Sequence, residues 1–204
     1  MSNVDFRYGL KPIENLNGAP WNGATRRCRV DATAGDLFIG DPVVWNGSGY
    51  LGYPEVIEAT AGDGNRIFGV ITSFEPQPDH LDRIYLASAD SGWANVCCDP
   101  HVIYSIQGCS GVALDSDAIG LNAVIIKTHS GSTVTGLSGV EMDSGATTAP
   151  AADASYQLLI IGMVDREDND LDAINADWKV LINLSSLVTG GVGGGGTAEG
   201  TVGV

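Results

Sequence analysis

The chain has 204 residues, 44% hydrophobic and 17% charged, enough apolar material for one well-filled domain. A formal net charge of −15 excludes free nucleic acid as the partner, because binding phosphates takes clustered Lys and Arg. No apolar run approaches the length of a membrane span, and the first residues lack a basic-then-apolar secretion signal. The expectation is a soluble protein made in a cytoplasm, with no membrane partner.

Residues 1–23 set Phe6, Tyr8 and Trp21 among Gly9, Pro12, Gly18, Pro20 and Gly23, with no helical or strand period. This reads as an extended N-terminal arm with aromatic anchor points. Residues 1–30 hold five basic side chains and two acidic ones, a balance of +3, so the rest of the chain carries −18. Arg26, Arg27 and Arg29 supply most of that excess. A basic arm on an acidic body predicts docking on an acidic surface, such as a neighbouring copy.

From residue 24 onward, short β segments alternate with turn signals. "TRRCRV" (25–30) and "GDPVVW" (40–45) read as strands. "PEVIEAT" (54–60), the turn "AGDGN" (61–65) and "RIFGVITSF" (66–74) read together as a hairpin. "EPQPDHLD" (75–82) is loop, since two prolines forbid a ladder. "RIYLAS" (83–88), "WANVCC" (93–98) and "HVIYSIQ" (101–107) are strands, and residues 111–120 are loop or one helical turn. "LNAVIIKT" (121–128) reads as a buried strand and "STVTGLSGVEM" (132–142) as Gly-interrupted β structure. After a small-residue loop (144–155), "YQLLIIGMV" (156–164) is the most apolar run and a central strand. An acidic loop (165–177) leads to the last strand, "WKVLINLSS" (178–186).

With no amphipathic helix, this order predicts an all-β fold: a single β-barrel or β-sandwich domain over 24–186. It is flanked by the arm (1–23) and a Gly-rich C-terminal arm (187–204). In that tail Val188, Val192, Val202 and Val204 are the apolar pegs. Glycine lets a backbone lie in a tight groove, so the tail is expected to be ordered by backbone hydrogen bonds to another subunit.

Chemistry is sparse. Asp168, Asp170 and Asp172 fit positions one, three and five of a calcium loop, but Ala173 and Lys179 stand where Gly and Glu are required. The segment therefore reads as a solvated acidic loop. "GCSGV" (108–112) and "GLSGV" (136–140) end in Val where a serine-nucleophile elbow needs Gly. "GVGGGG" (191–196) lacks the Lys-Ser/Thr of a phosphate loop. Cys28, Cys97, Cys98 and Cys109 form no CxxC pair and no metal spacing with His80, His101 or His129, so they read as small buried hydrophobes in a reducing cell. No catalytic, cofactor or metal site is expected.

A series of phrases then points to a family. "LNGAPWNGATRR" (16–27), "IGDPV" (39–43), "ATAGDGNRIFGVI" (59–71) and "CDPHVIYSIQ" (98–107) are followed by "IGLNAVI" (119–125), "SGVEMD" (138–143), "QLLIIGMV" (157–164) and "DWKVLIN" (177–183). In that order they resemble the capsid decoration, or cement, proteins of tailed-bacteriophage heads, with Cys98 and His101 as departures. The likeness covers most of residues 8–184 and leaves out the Gly-rich tail. It implies a non-enzymatic structural protein on the outer surface of the expanded head, working without a cofactor. Its implied partners are the phage major capsid protein and sister copies in a homotrimer that clamps neighbouring capsomers. Phe6, Tyr8 and Trp21 would then anchor the arm on a neighbour, and Arg26, Arg27 and Arg29 would pair with acidic groups on capsid or sister subunit. The alternative is a virion-surface host-attachment or glycan-binding module. It predicts exposed aromatics clustered on the body, whereas Trp21, Trp45, Trp93 and Trp178 are scattered along the chain. An enzyme would need a nucleophile, base and orienter that three isolated histidines do not supply.

Overall fold

The computed structural model describes residues 3–188. In chain order the strands are β1 (Lys11–Asn15), β2 (Arg26–Val30), β3 (Pro42–Tyr50), β4 (Tyr53–Glu58), β5 (Gly69–Phe74), β6 (Gly92–Cys97) and β7 (Val102–Gln107). After a single 3-10 turn (Ser116–Ala118) come β8 (Asn122–Ala123), β9 (Ile125–Ile126), β10 (Glu141–Met142), β11 (Leu158–Met163) and β12 (Asp177–Ile182). The all-β expectation holds.

Five strands close a ring in the order β2-β4-β3-β5-β6. Its seams are antiparallel except β2–β4, where Arg29 and Val30 pair in parallel with Glu55 and Val56. Period-two alternation turns Cys28, Val30, Ala94 and Val96 inward, and Val43, Val56, Phe68 and Ile71 fill the remaining interior. Gly69 permits the close β5–β6 approach, since a Cβ there would sit 2.5 Å from the Cys97 carbonyl oxygen.

The second unit is a five-stranded sheet in the order β1-β7-β12-β11-β8. Every residue of β7 is buried, including the polar Ser105 and Gln107, so the strand has material on both faces. Tyr104, Ile106, Leu158, Ile160, Trp178 and Val180 form its core, joined by Val70 and Cys97 from the barrel wall. Sheet and barrel therefore share one interior at their junction. Cys97 enters the sheet core while Cys98 packs toward the barrel core, as alternation requires.

The expected hairpin over 54–74 does not form. The hairpin is β3–β4, closed by Leu51 (φ 51°) and Gly52 (φ 83°) between the paired Tyr50 and Tyr53. Two left-handed residues match the right-handed twist of the strands, and here Leu takes the place usual for Asn or Asp. "AGDGN" instead leaves the barrel for the sheet: the Gly62 N–H donates to Gln157 Oε1 (3.1 Å) and the Gly64 N–H to the Ser155 carbonyl (2.8 Å). Residues 83–88 contribute one bridge, Leu37 to Leu86, and no strand. Segment 121–128 splits, β8 pairing with β11 and β9 with β10.

The N-terminal arm also needs correction. Its first half lies on its own body rather than reaching outward. β1 pairs with β7 from Lys11↔Ser105 to Asn15↔Val102, with a bulge after Pro12. An edge strand tolerates that proline. Leu10 is buried in the sheet core. The Asn3 amide donates to the Asp170 and Ile174 carbonyls, and Gln107 receives the Phe6 N–H and donates to the Val4 carbonyl. At the other end Val188 is half-buried, while Val192, Val202, Val204 and the remainder of the C-terminal arm lie outside the described residues.

Candidate functional site

The outward face of β2 builds the most distinctive surface. Because Cys28 and Val30 point inward, Arg27 and Arg29 point out. β6 places Trp93 directly opposite Arg29, and the β3–β4 hairpin folds Tyr50 and Tyr53 over the same spot. The Arg27 guanidinium lies 3.7 Å from the Trp93 ring centre and 5.2 Å from that of Tyr53. Arg29 lies 4.9 Å from Tyr50 and 5.4 Å from Trp93. Tyr53 and Tyr50 meet Trp93 edge-on, with ring centres 5.1 and 6.1 Å away. Cations over ring faces and rings edge-to-face are both favourable electrostatic arrangements.

Arg27 is held further by a two-pronged ion pair to Glu75, at 2.6 and 2.7 Å. That pairing lowers the Glu75 carboxyl pKa and raises that of Arg27. Arg29 donates to Ser91 Oγ. The surface remains open to a partner, with Tyr50 at 45% and the hairpin-tip Leu51 at 79% exposure. Arg26 stands exposed at the start of β2 and makes no ion pair with any described residue. Tyr, Trp and Arg are the residues enriched where protein partners bind.

The other residues singled out in the sequence serve their own fold. Tyr8 is half-buried and shares a 3.0 Å hydrogen bond with Ser105, and burial raises its phenol pKa. Trp21 packs against the sheet core. Phe6 stays 55% exposed while its N–H is held by Gln107. All three line an apolar cleft of 470 Å³ with Leu10, Ile39 and Ile71. Sequence reading selected Arg27 and Arg29 but missed Tyr50, Tyr53, Trp93 and Glu75. The available signal was the alternation of β2, which demands partners on the strands beside it.

A polar cluster lies near the barrel–sheet junction. Asp41 accepts from the Phe38 N–H (2.7 Å) and Ser138 Oγ (2.5 Å), and burial pushes its carboxyl up to about 6. Buried Glu141 sits between Arg7 Nε (3.1 Å) and His129 Nδ1 (3.0 Å). Lys127 pairs with Glu58 at 2.7 Å. Asp143 accepts the N–H groups of Gly145, Ala146, Thr147 and Thr148, pinning the following loop. Each of these groups is engaged in holding two segments together. The Ser138 hydroxyl is turned to a carboxylate rather than to an imidazole. Among the described residues, no three His, Cys, Asp or Glu side chains converge to hold a metal. No described helix is long and apolar enough to cross a membrane.

No protein-family model, no curated protein and no solved structure matches this chain.

Proposed function

We propose that the chain is a non-enzymatic structural protein of a phage virion that decorates the outer surface of the head and cements neighbouring capsomers, acting as a homotrimer. The ordered phrases between residues 8 and 184 motivate the family, and the Arg–aromatic surface carries the mechanism. Arg27, Arg29, Tyr50, Tyr53 and Trp93 form a patch already ordered by its own ring and guanidinium contacts, so little side-chain freedom is lost on docking. The partner in this reading is the major capsid protein. Repetition around the head lets a modest interface per copy act through avidity. The N-terminal segment, pinned through residue 15, stabilises the body, and contact with neighbours falls to the hairpin tip and the Arg26 end of β2. Apart from the buried Asp41, Glu141, Asp143 and Asp177, the acidic remainder faces solvent and keeps particles dispersed.

The test is co-sedimentation of purified protein with expanded heads that lack it. Wild type pellets with the heads, and Trp93→Ala with Arg29→Ala reduces the bound fraction at least about tenfold, the loss of one interface hot spot. Equal binding by folded wild-type and variant protein would overturn the assignment of the patch.

The convergence of Tyr50, Tyr53 and Trp93 also favours a second reading, a glycan-binding module of the virion surface. Guanidinium groups over all three rings argue against it, because sugars stack on the same faces. Specific binding on a glycan array, lost in the same variant, would establish it.

A further inference from the structure

Three asparagines of the chain precede glycine: Asn17-Gly18, Asn22-Gly23 and Asn46-Gly47. In such a pair the glycine nitrogen can attack the asparagine side-chain carbonyl carbon, because Gly carries no Cβ to obstruct the approach. The step closes a succinimide ring within one chain, so its rate is set by how freely the two atoms meet. The fold treats the three pairs differently.

Two of them are restrained. Asn17-Gly18 lies inside the tight return that covers the edge of β1, where the Gly18 N–H is committed to the Asn15 carbonyl (2.8 Å) and the Asn15 N–H to that of Ala19 (2.8 Å). The attacking nitrogen would first have to give up its hydrogen bond. Asn46-Gly47 lies within β3, and the Asn46 amide nitrogen, which must leave, donates to Asp31 Oδ2 (3.0 Å). Asn22-Gly23 has neither restraint. It sits in the exposed link 22–25 between the return of the arm and β2. The Gly23 N–H and the Asn22 amide nitrogen make no hydrogen bond with any described residue. The one hydrogen bond of the link favours the reaction. The Ala24 N–H donates to Asn22 Oδ1 (3.1 Å), which folds the side chain back over the Gly23 peptide and sets a donor on the oxygen where negative charge develops. Nothing lies within 4 Å of where a Gly23 Cβ would stand, so the peptide has room to turn.

We propose that Asn22 is a site of spontaneous deamidation, the position at which this chain ages first. The Gly23 nitrogen loses its proton and bonds to Asn22 Cγ, the bond from Cγ to the amide nitrogen breaks, and that nitrogen leaves as ammonia with the proton. Water then opens the succinimide at one of its two carbonyls, giving aspartate or, with the main chain routed through the side chain, isoaspartate. One water is consumed and one ammonia released. Residues 1–30 pass from five basic and two acidic side chains to five and three, a balance of +2. The new carboxylate stands in the link that leads into Arg26, which makes no ion pair with a described residue. The consequence, which rests on the decoration reading, is that aged copies hold the head less tightly at the Arg26 end of β2.

The experiment incubates the full chain in mildly alkaline buffer and follows each Asn-Gly pair by tandem mass spectrometry, with an isoaspartyl methyltransferase to count isoaspartate. Conversion at Asn22 runs at least about tenfold faster than at Asn17 or Asn46, a barrier difference of about 1.4 kcal/mol, and the three rates converge in urea. A more acidic species grows in on ion exchange at the Asn22 rate and is absent from Asn22→Gln, whose longer side chain closes the ring poorly. The unfolding temperature stays unchanged, since the link's one hydrogen bond is internal to it. Equal rates at the three pairs in the folded chain, or an amide at Asn22 that outlasts that of Asn17 or Asn46, would overturn the proposal. A difference that persists in urea would overturn the fold as its cause. Asn22→Asp pellets with heads less than wild type does, and equal pelleting would overturn the consequence; wild type that itself fails to pellet would refute the decoration reading and leave the measured rates at Asn22 to decide the chemistry.

Discussion

Asp41 offers a quantitative test of how the barrel is joined to the sheet. Its carboxylate receives the Phe38 N–H and the Ser138 hydroxyl, fastening the 37–41 turn to the segment that enters β10. Burial raises its carboxyl from the ordinary 3.8 to about 6, opposed by those two hydrogen bonds and by Lys127, and reinforced by Glu58. The folded chain therefore keeps this proton at pH values where the unfolded chain has lost it. Stability from Asp41 is fully present below pH 3.8 and is lost as pH rises through about 6. The gap is worth about 3 kcal/mol at 1.36 kcal/mol per pH unit. Asp31, Glu75, Asp153 and Asp168 are shifted down by their partners, so their contributions have the opposite sign and are lost as pH falls. Those terms cancel between wild type and Asp41→Asn. Urea unfolding of both at fixed protein concentration from pH 4 to pH 7 should show the stability of wild type relative to variant falling by most of that gap, about 2–3 kcal/mol. A difference that stays flat, or grows with pH, would refute this account of Asp41.

Three further outcomes follow from the packing. Gln107→Ala removes the acceptor of the Phe6 N–H and the donor to the Val4 carbonyl, so hydrogen exchange should accelerate at residues 4–6 while β7 stays protected. Gly139→Ala puts a Cβ 2.5 Å from the His129 and Ser130 carbonyl oxygens and should cost about 1–3 kcal/mol, whereas Gly162→Ala meets nothing within 4 Å and should be near neutral in the same denaturation assay. Burial pushes the Cys28 thiol up to about 12 and raises Cys97 and Cys98, so iodoacetamide at neutral pH should alkylate these three slowly until urea is added, with mass spectrometry reading the rates.

The strands with clean alternation or long apolar runs were legible in the sequence. β2, β4, β6, β7 and β11 fall within one or two residues of their expected places, and β12 starts where expected but ends four residues early. Pairing was less legible, because turn chemistry misled. "AGDGN" looks like a hairpin turn, yet its N–H groups find acceptors in the sheet, while the true hairpin turns on Leu51-Gly52, a pair without the usual Asn or Asp. β1 was hidden because Pro12 and a bulge break its period, and its stability comes from β7, some ninety positions away. The same distance hid the candidate site. Arg27 and Arg29 stand out as charges, but Trp93, Tyr50 and Tyr53 reach them only once the ring closes. "RIYLAS" has strand composition but finds no neighbour beyond Leu37, so composition alone did not make it a strand.

The most direct measurement is electron cryo-microscopy of expanded heads lacking this protein, imaged after wild-type chain is added back. The proposal predicts threefold density at capsomer junctions, with the Tyr50–Tyr53 hairpin and the Arg27–Trp93 face turned to the capsid. Heads without added density, or density with that face pointing into solvent, would contradict it.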